Sequence, residues 1–112
     1  MLLETDQMNL MRQQAAEAAT MLRLIGNEHR LIVLCSLVEG EMGVGALQDR
    51  LDLSQSALSQ HLARLRADGL ISARRASQNI YYSIADEKIF ALIAALAEIF
   101  CPDEIKMGSQ QK

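Results

Sequence analysis

Cys35 and Cys101 are the only thiols in a chain of 112 residues. Thiols bind metals, pair by oxidation or attack electrophiles, and each use needs different neighbours. There is no Cys-x-x-Cys pair, which removes zinc-ribbon and thioredoxin-type readings. A structural disulfide is not expected in a reducing cytoplasm. The two sulfurs read either as small core-filling groups or as a redox or metal couple, and their spacing leaves these alternatives open. His29 and His61 are the only histidines. They are too few for a His-rich metal site, and each is read as a packed or capping residue. No Ser-His-Asp set, glycine-rich phosphate loop or paired catalytic carboxylates can be assembled. The chain reads as a non-enzyme that needs no cofactor.

A second group of residues has the chemistry for reading DNA. Gln55, Ser56, Ser59 and Gln60 follow Ser54 on one polar helix face. Gln bonds bidentately to adenine in the major groove, and Ser serves several bases. No Asp or Glu lies on that face to repel phosphate. Arg64 and Arg66, further along the same helix, suit the phosphate backbone. Arg74 and Arg75 flank a later turn and suit phosphates or the minor groove. The net charge of the chain is −3, but it is unevenly spread. Residues 54–82 set Arg64, Arg66, Arg74 and Arg75 against Asp68 alone, while the segments on both sides are acidic. One basic stretch in an acidic chain is the electrostatic footprint of a nucleic-acid surface, and a solvated charged face is the bland alternative.

These residues need elements to hold them. Met8, Met11, Ala15, Ala18, Leu22 and Ile25 recur at steps of three and four, which predicts a first helix with a coiled-coil-like seam. Gly26 and Asn27 break it. A second helix is predicted from about Glu28 to Glu39, with Leu31, Leu34, Cys35 and Val38 as its apolar stripe. That stripe puts Cys35 on or beside the buried face. Glu41-Met42-Gly43 reads as a short connection, and Val44, Leu47 and Leu51 mark a third helix. Ser54 is an N-cap for a fourth, Gln55 to Asp68, whose apolar stripe is Leu58, Leu62 and Leu65 and whose stop is Gly69. The period then drops to two. Leu70 to Arg75 and Ile80 to Ile84 read as strands around a turn at Ala76 to Asn79. A last helix starts at Asp86, carries Ile89, Ile93, Leu96 and Phe100, and stops at Pro102. Residues from about Asp103 to Lys112 read as a frayed tail.

The expected order is four helices, a β-hairpin and a helix. This is a mainly α, single-domain winged helix-turn-helix covering residues 1–112. Half the residues are apolar and 22% are charged, which suits a folded core. The longest apolar run, Ile89 to Ala97, is far short of the ~18 residues of a membrane span. Glu4 and Asp6 stand where a signal peptide would be basic, so a cytoplasmic location without a membrane partner is expected.

From Asn27 to Ile84 the sequence resembles the ArsR family of bacterial winged-helix repressors, most specifically in LSQSALSQHLARLRADGLI and IYYSI. The resemblance implies a homodimer formed by the first and last helices, gripping a palindromic operator on double-stranded DNA until an inducer releases it. Arsenic and cadmium sensors of this family carry two cysteines in an ELCVCDL-type segment. Here the segment is EMGVGAL, with Gly43 and Gly45 at those places. Zinc sensors carry Asp and His on the last helix, and here no His follows Asp86. Both metal sites are therefore expected to be absent. The pair that remains, Cys35 and Cys101, resembles that of the persulfide-responsive branch (BigR- and SqrR-like proteins and the related HlyU type). That likeness implies a redox switch in which reactive sulfur species join the two thiols and DNA is released. An activating or anti-silencing role on DNA, and a helical protein-interaction module without DNA binding, are the alternatives.

Overall fold

The computed structural model describes residues 4–101. Its elements are α1 (Glu4–Ile25), α2 (Glu28–Val38), β1 (Met42–Gly43), α3 (Val44–Arg50), α4 (Gln55–Ala67), β2 (Ile71–Ala76), β3 (Asn79–Ile84) and α5 (Lys88–Phe100). The expected winged helix-turn-helix is present, with five helices and a wing. Pro102 and the tail expected from Asp103 lie outside the described residues.

The wing has three strands rather than two. Met42 and Gly43, expected as plain connection, pair antiparallel with Tyr82 and Tyr81, giving the order β1-β3-β2. Without this strand β3 would be an open edge with unpaired backbone groups. β2 and β3 are closed by a two-residue loop between Ala76 and Asn79, with Ser77 at φ 60°.

Local signals set the helix ends. The Asn27 side chain accepts from the backbone N–H of His29 and of Arg30, each at 3.0 Å, and so caps α2. At the end of α4, Gly69 takes φ +80°. Its N–H donates to Arg66 and that of Leu70 to Leu65, the double closure that a left-handed glycine permits. α5 begins at Lys88, two residues later than expected. The Asp86 carboxylate accepts from the Lys88 N–H at 2.9 Å, so Asp86 stands outside the helix as its brace.

α2 is central, packed against α1, α3, α4, α5 and β3. Val33, Leu34 and Leu37 of α2 meet Leu47, Leu58, Leu62, Leu65, Ile71 and Ile89 in a fully enclosed core. The predicted α2 stripe needs correction. Its buried face is Val33, Leu34, Ser36 and Leu37, whereas Leu31 and Val38 are half-buried and Cys35 is exposed. α2 is apolar on nearly every side, so its period does not choose the face. Ser36 goes inward because its hydroxyl donates to the Ile32 carbonyl at 2.8 Å and needs no water.

α1 departs from this compact plan. Only its last turn, Leu24 and Ile25, joins the core, and residues 5–20 are exposed throughout. Met8, Met11 and Leu22 of the predicted seam therefore face outward. So do Phe90, Ile99 and Phe100 of α5. Between the two helices runs a groove of about 780 Å³, lined in part by Ala18, Met21, Leu22, Ala91, Leu92 and Ala95.

Candidate nucleic-acid interface and thiol pair

α3 and α4 are joined by a short turn at Leu51–Ser54, with Leu47, Leu51 and Leu58 holding the corner to the core. Gln48 Nε2 donates to the Leu53 carbonyl at 3.2 Å and ties the turn to α3. Ser54 Oγ accepts from the Ala57 N–H at 3.1 Å and lies 3.3 Å from Ser56 Oγ. Ser54 thus serves first as the cap that sets the start of α4.

The apolar stripe Leu58, Leu62 and Leu65 is buried, so the opposite face of α4 is free. Gln55, Ser56, Ser59, Gln60, Arg64 and Arg66 are all exposed there or on its flanks. Arg64 lies 3.7 Å from Asp68 one turn on, a weak surface pair that phosphate can displace. Arg66 and Arg75 have no ion-pair partner among the described residues. Arg74, assigned to DNA beside Arg75, is already engaged. Its Nε and Nη2 donate to both carboxylate oxygens of Glu41 at 2.7 and 2.8 Å, and its guanidinium lies 5.0 Å from the Tyr81 ring centre. Arg74 holds the Glu41 carboxyl below the usual range, chiefly through these hydrogen bonds.

The inner flank of α4 is fixed by His29 and His61, read as packed or capping residues, together with Arg30, which the sequence left without a role. Arg30 of α2 donates to the carbonyls of Leu24 and Arg23 at the end of α1, and its Nη1 stands 3.5 Å from His61 Nδ1 on α4. His29 lies against His61, ring centres 5.7 Å apart. Desolvation, then the charges of Arg30 and His29, hold the His61 pKa below its ordinary value. A neutral imidazole can accept from Arg30, so this cluster ties α1, α2 and α4 together. His29 Nδ1 is buried there without a partner.

The two thiols come from adjoining helices. Cys35 is on α2 and Cys101 is the residue that closes α5, which packs on α2. Both are free and exposed. Protein around the Cys35 sulfur desolvates it despite that exposure, which is the main cause of a raised pKa. Negative charge on Cys101 and then on Glu39 raises it further. Among the described residues no cluster of three or more His, Cys, Asp or Glu is placed to hold a metal ion. Among them too, no helix is long and apolar enough to cross a membrane.

Comparison with known proteins places these features among relatives. Residues 27–73 match the profile described as "Bacterial regulatory protein, arsR family". The chain is 45% identical over 96 residues to the transcriptional activator HlyU of Vibrio cholerae, covering 84% of this chain and 89% of that protein. The structure of reduced HlyU from that organism superposes with a TM-score of 0.77, at 44% identity, over 81% of this chain and 96% of that one. Nodulation protein NolR of Rhizobium meliloti is 47% identical over 91 residues, 81% of this chain and 75% of that protein. The transcriptional repressor BigR of Xylella fastidiosa superposes with a TM-score of 0.78, at 36% identity, over 89% of this chain and 98% of that one.

Proposed function

Because this chain belongs to the ArsR family of bacterial regulatory proteins, and is thereby a DNA-binding transcriptional regulator rather than an enzyme, we propose that it is a homodimeric operator-binding repressor switched by Cys35 and Cys101. The observation that carries this reading is the placement of the two free, exposed thiols on packed helices, Cys35 on α2 and Cys101 at the end of α5. α5 and α1 carry the exposed apolar faces that a second copy would cover, and α2 supports the helix-turn-helix. A covalent link between α2 and α5 fixes the reading head against the dimer helices. Half-sites lie about 34–36 Å apart, so a small rotation in each subunit misplaces both recognition helices.

The step balances with a low-molecular-weight persulfide as oxidant. Cys35 thiolate takes the outer sulfur of RSSH and releases RSH. Cys101 thiolate then attacks the Cys35 sulfur and expels hydrosulfide, leaving a disulfide. A second RSSH can leave one further sulfur in the bridge. A direct disulfide needs Cα atoms within about 7 Å, and each added sulfur extends the span by up to ~2 Å. A pair held slightly beyond disulfide reach would close only through that added sulfur, which a persulfide supplies and peroxide does not.

Operator affinity of wild type, Cys35→Ser and Cys101→Ser, reduced and after persulfide treatment, tests the proposal. Wild type is expected to release DNA by a factor of roughly 5–150. Both variants should bind like reduced wild type and neither should release. Release by either single variant sinks the paired switch. The likeness to a protein named as an activator favours a second reading, in which DNA binding relieves silencing. Reporter expression in a deletion strain separates the two: it rises under repression and falls under activation.

A further inference from the structure

Arg74 and Arg75 are adjacent on β2, yet their surroundings differ. Strand alternation sends them to opposite faces of the sheet. Arg75 has the same strand parity as Ile71 and Ala73 and pairs in register with Ile80. It is exposed and has no ion-pair partner among the described residues. Arg74 pairs in register with Tyr81, which in turn pairs with Gly43 on β1. A Cβ at Gly43 would stand 3.3 Å from the Tyr81 ring, so the ring lies close over the β1 backbone. Glu41, which receives both Arg74 hydrogen bonds, immediately precedes β1, and β1 runs directly into α3. Glu41, Arg74, Tyr81 and Gly43 therefore form one unit joining the wing to the start of the helix-turn-helix.

We propose that Arg74 does not contact DNA but is a positioning residue, a clamp through Glu41 and Tyr81 that fixes the wing relative to α3 and α4, leaving Arg75 as the arginine the wing presents to phosphate. A bidentate arginine–carboxylate fork is directional and satisfies the guanidinium. A guanidinium so occupied is not available to DNA without giving up both bonds. The inference rests on DNA binding through α4 and the wing.

The test uses the full chain and a labelled duplex selected by the wild-type protein from a randomised pool, with affinity measured across a salt series. A phosphate contact that is lost flattens the salt dependence, by about 0.9 in log–log slope for each protomer. Arg75→Ala is expected to do this. Arg74→Ala, Arg74→Lys and Glu41→Gln are each expected to weaken binding by roughly three- to thirtyfold with the slope unchanged. The double variant Glu41→Gln/Arg74→Ala should bind no worse than either single change. The Glu41→Gln result is the sharpest, because removing a negative charge near DNA would by itself tighten binding. Tighter, more salt-dependent binding by Glu41→Gln, or a flatter slope for Arg74→Ala, would make Arg74 a phosphate contact held back by Glu41 and overturn the proposal. Unchanged affinity in all three would overturn it as well. Gln55→Ala/Gln60→Ala keeps the two readings apart: if it leaves selection of the duplex intact, the α4 interface fails, independently of the clamp.

Discussion

The helix-turn-helix with its wing and the α1–α5 pair solve opposite problems. The first is closed on itself. Its leucines are enclosed, both ends of α4 are capped, and its strands are paired. The second displays what the first hides, with Met11 61% and Phe100 74% exposed on helices that lack a cover in one protomer. Burying such side chains contributes about 1.5–3 kcal/mol each, so a chain that leaves several outside has its remaining stabilisation available from another copy. The helix-turn-helix and wing are specified by the chain alone, while α1 and α5 leave apolar faces that the proposed second copy would cover.

The largest effects should fall on the closed half. Leu62→Ala empties a fully buried position between α4 and α2 and is expected to cost about 2–5 kcal/mol in urea unfolding at every protein concentration. Met11→Glu touches nothing in the protomer core. It should remove the concentration dependence of the melting temperature and shift sedimentation to monomer. If Met11→Glu instead destabilised the protein equally at all concentrations, the division between the halves would break. Next comes Gly69→Ala, which places a Cβ at φ +80° and is expected to cost about 1–2 kcal/mol. Ser54→Ala removes the α4 cap at 3.1 Å and should cost about 1 kcal/mol in unfolding. Its effect on DNA affinity should exceed that, because the cap also sets the start of the reading face.

How far the sequence revealed the molecule follows the same division. The four-helix, hairpin, helix order was legible because leucines at helical spacing, Ser54 and Gly69 act within a few residues of themselves. The α4 face was legible for the same reason, since burying Leu58, Leu62 and Leu65 forces Gln55, Ser59 and Gln60 outward. β1 was not, because two residues carry no period and their pairing depends on Tyr81 and Tyr82, far along the chain. The wrong stripe on α2 has a related cause: Leu31 to Val38 is apolar enough to bury in several orientations, and only the neighbours choose. The Arg74–Glu41 fork was also hidden. Glu41 looks like one more surface acid until the sheet brings β1 beside the wing. The Arg30–His61 tie between α2 and α4 depends on tertiary packing in the same way.

The smallest expected effect sits where the two halves meet, at Cys35. Desolvation raises its pKa first, Cys101 second and Glu39 third. The thiolate is the attacking form, so at neutral pH Cys35 holds less of it than an ordinary thiol near 8.5. Its alkylation by iodoacetamide should therefore climb about tenfold per pH unit and level off only above the range of an ordinary thiol. Cys101→Ser should raise that rate at alkaline pH, where charge on the Cys101 sulfur otherwise opposes ionisation of Cys35. Glu39→Gln should do the same more weakly, by at most about fivefold, since Glu39 is exposed and lies 3.5 Å from Arg50 of α3, which already offsets part of its charge. The ordering carries the argument. A larger response to Glu39→Gln than to Cys101→Ser would mean that Cys35 senses the helix-turn-helix side through Glu39 and Arg50 more than it senses α5. The switch would then lie inside the closed half. A larger response to Cys101→Ser keeps it at the junction, where the proposed bond between sulfurs would join α2 to the helix that the proposed second copy would cover.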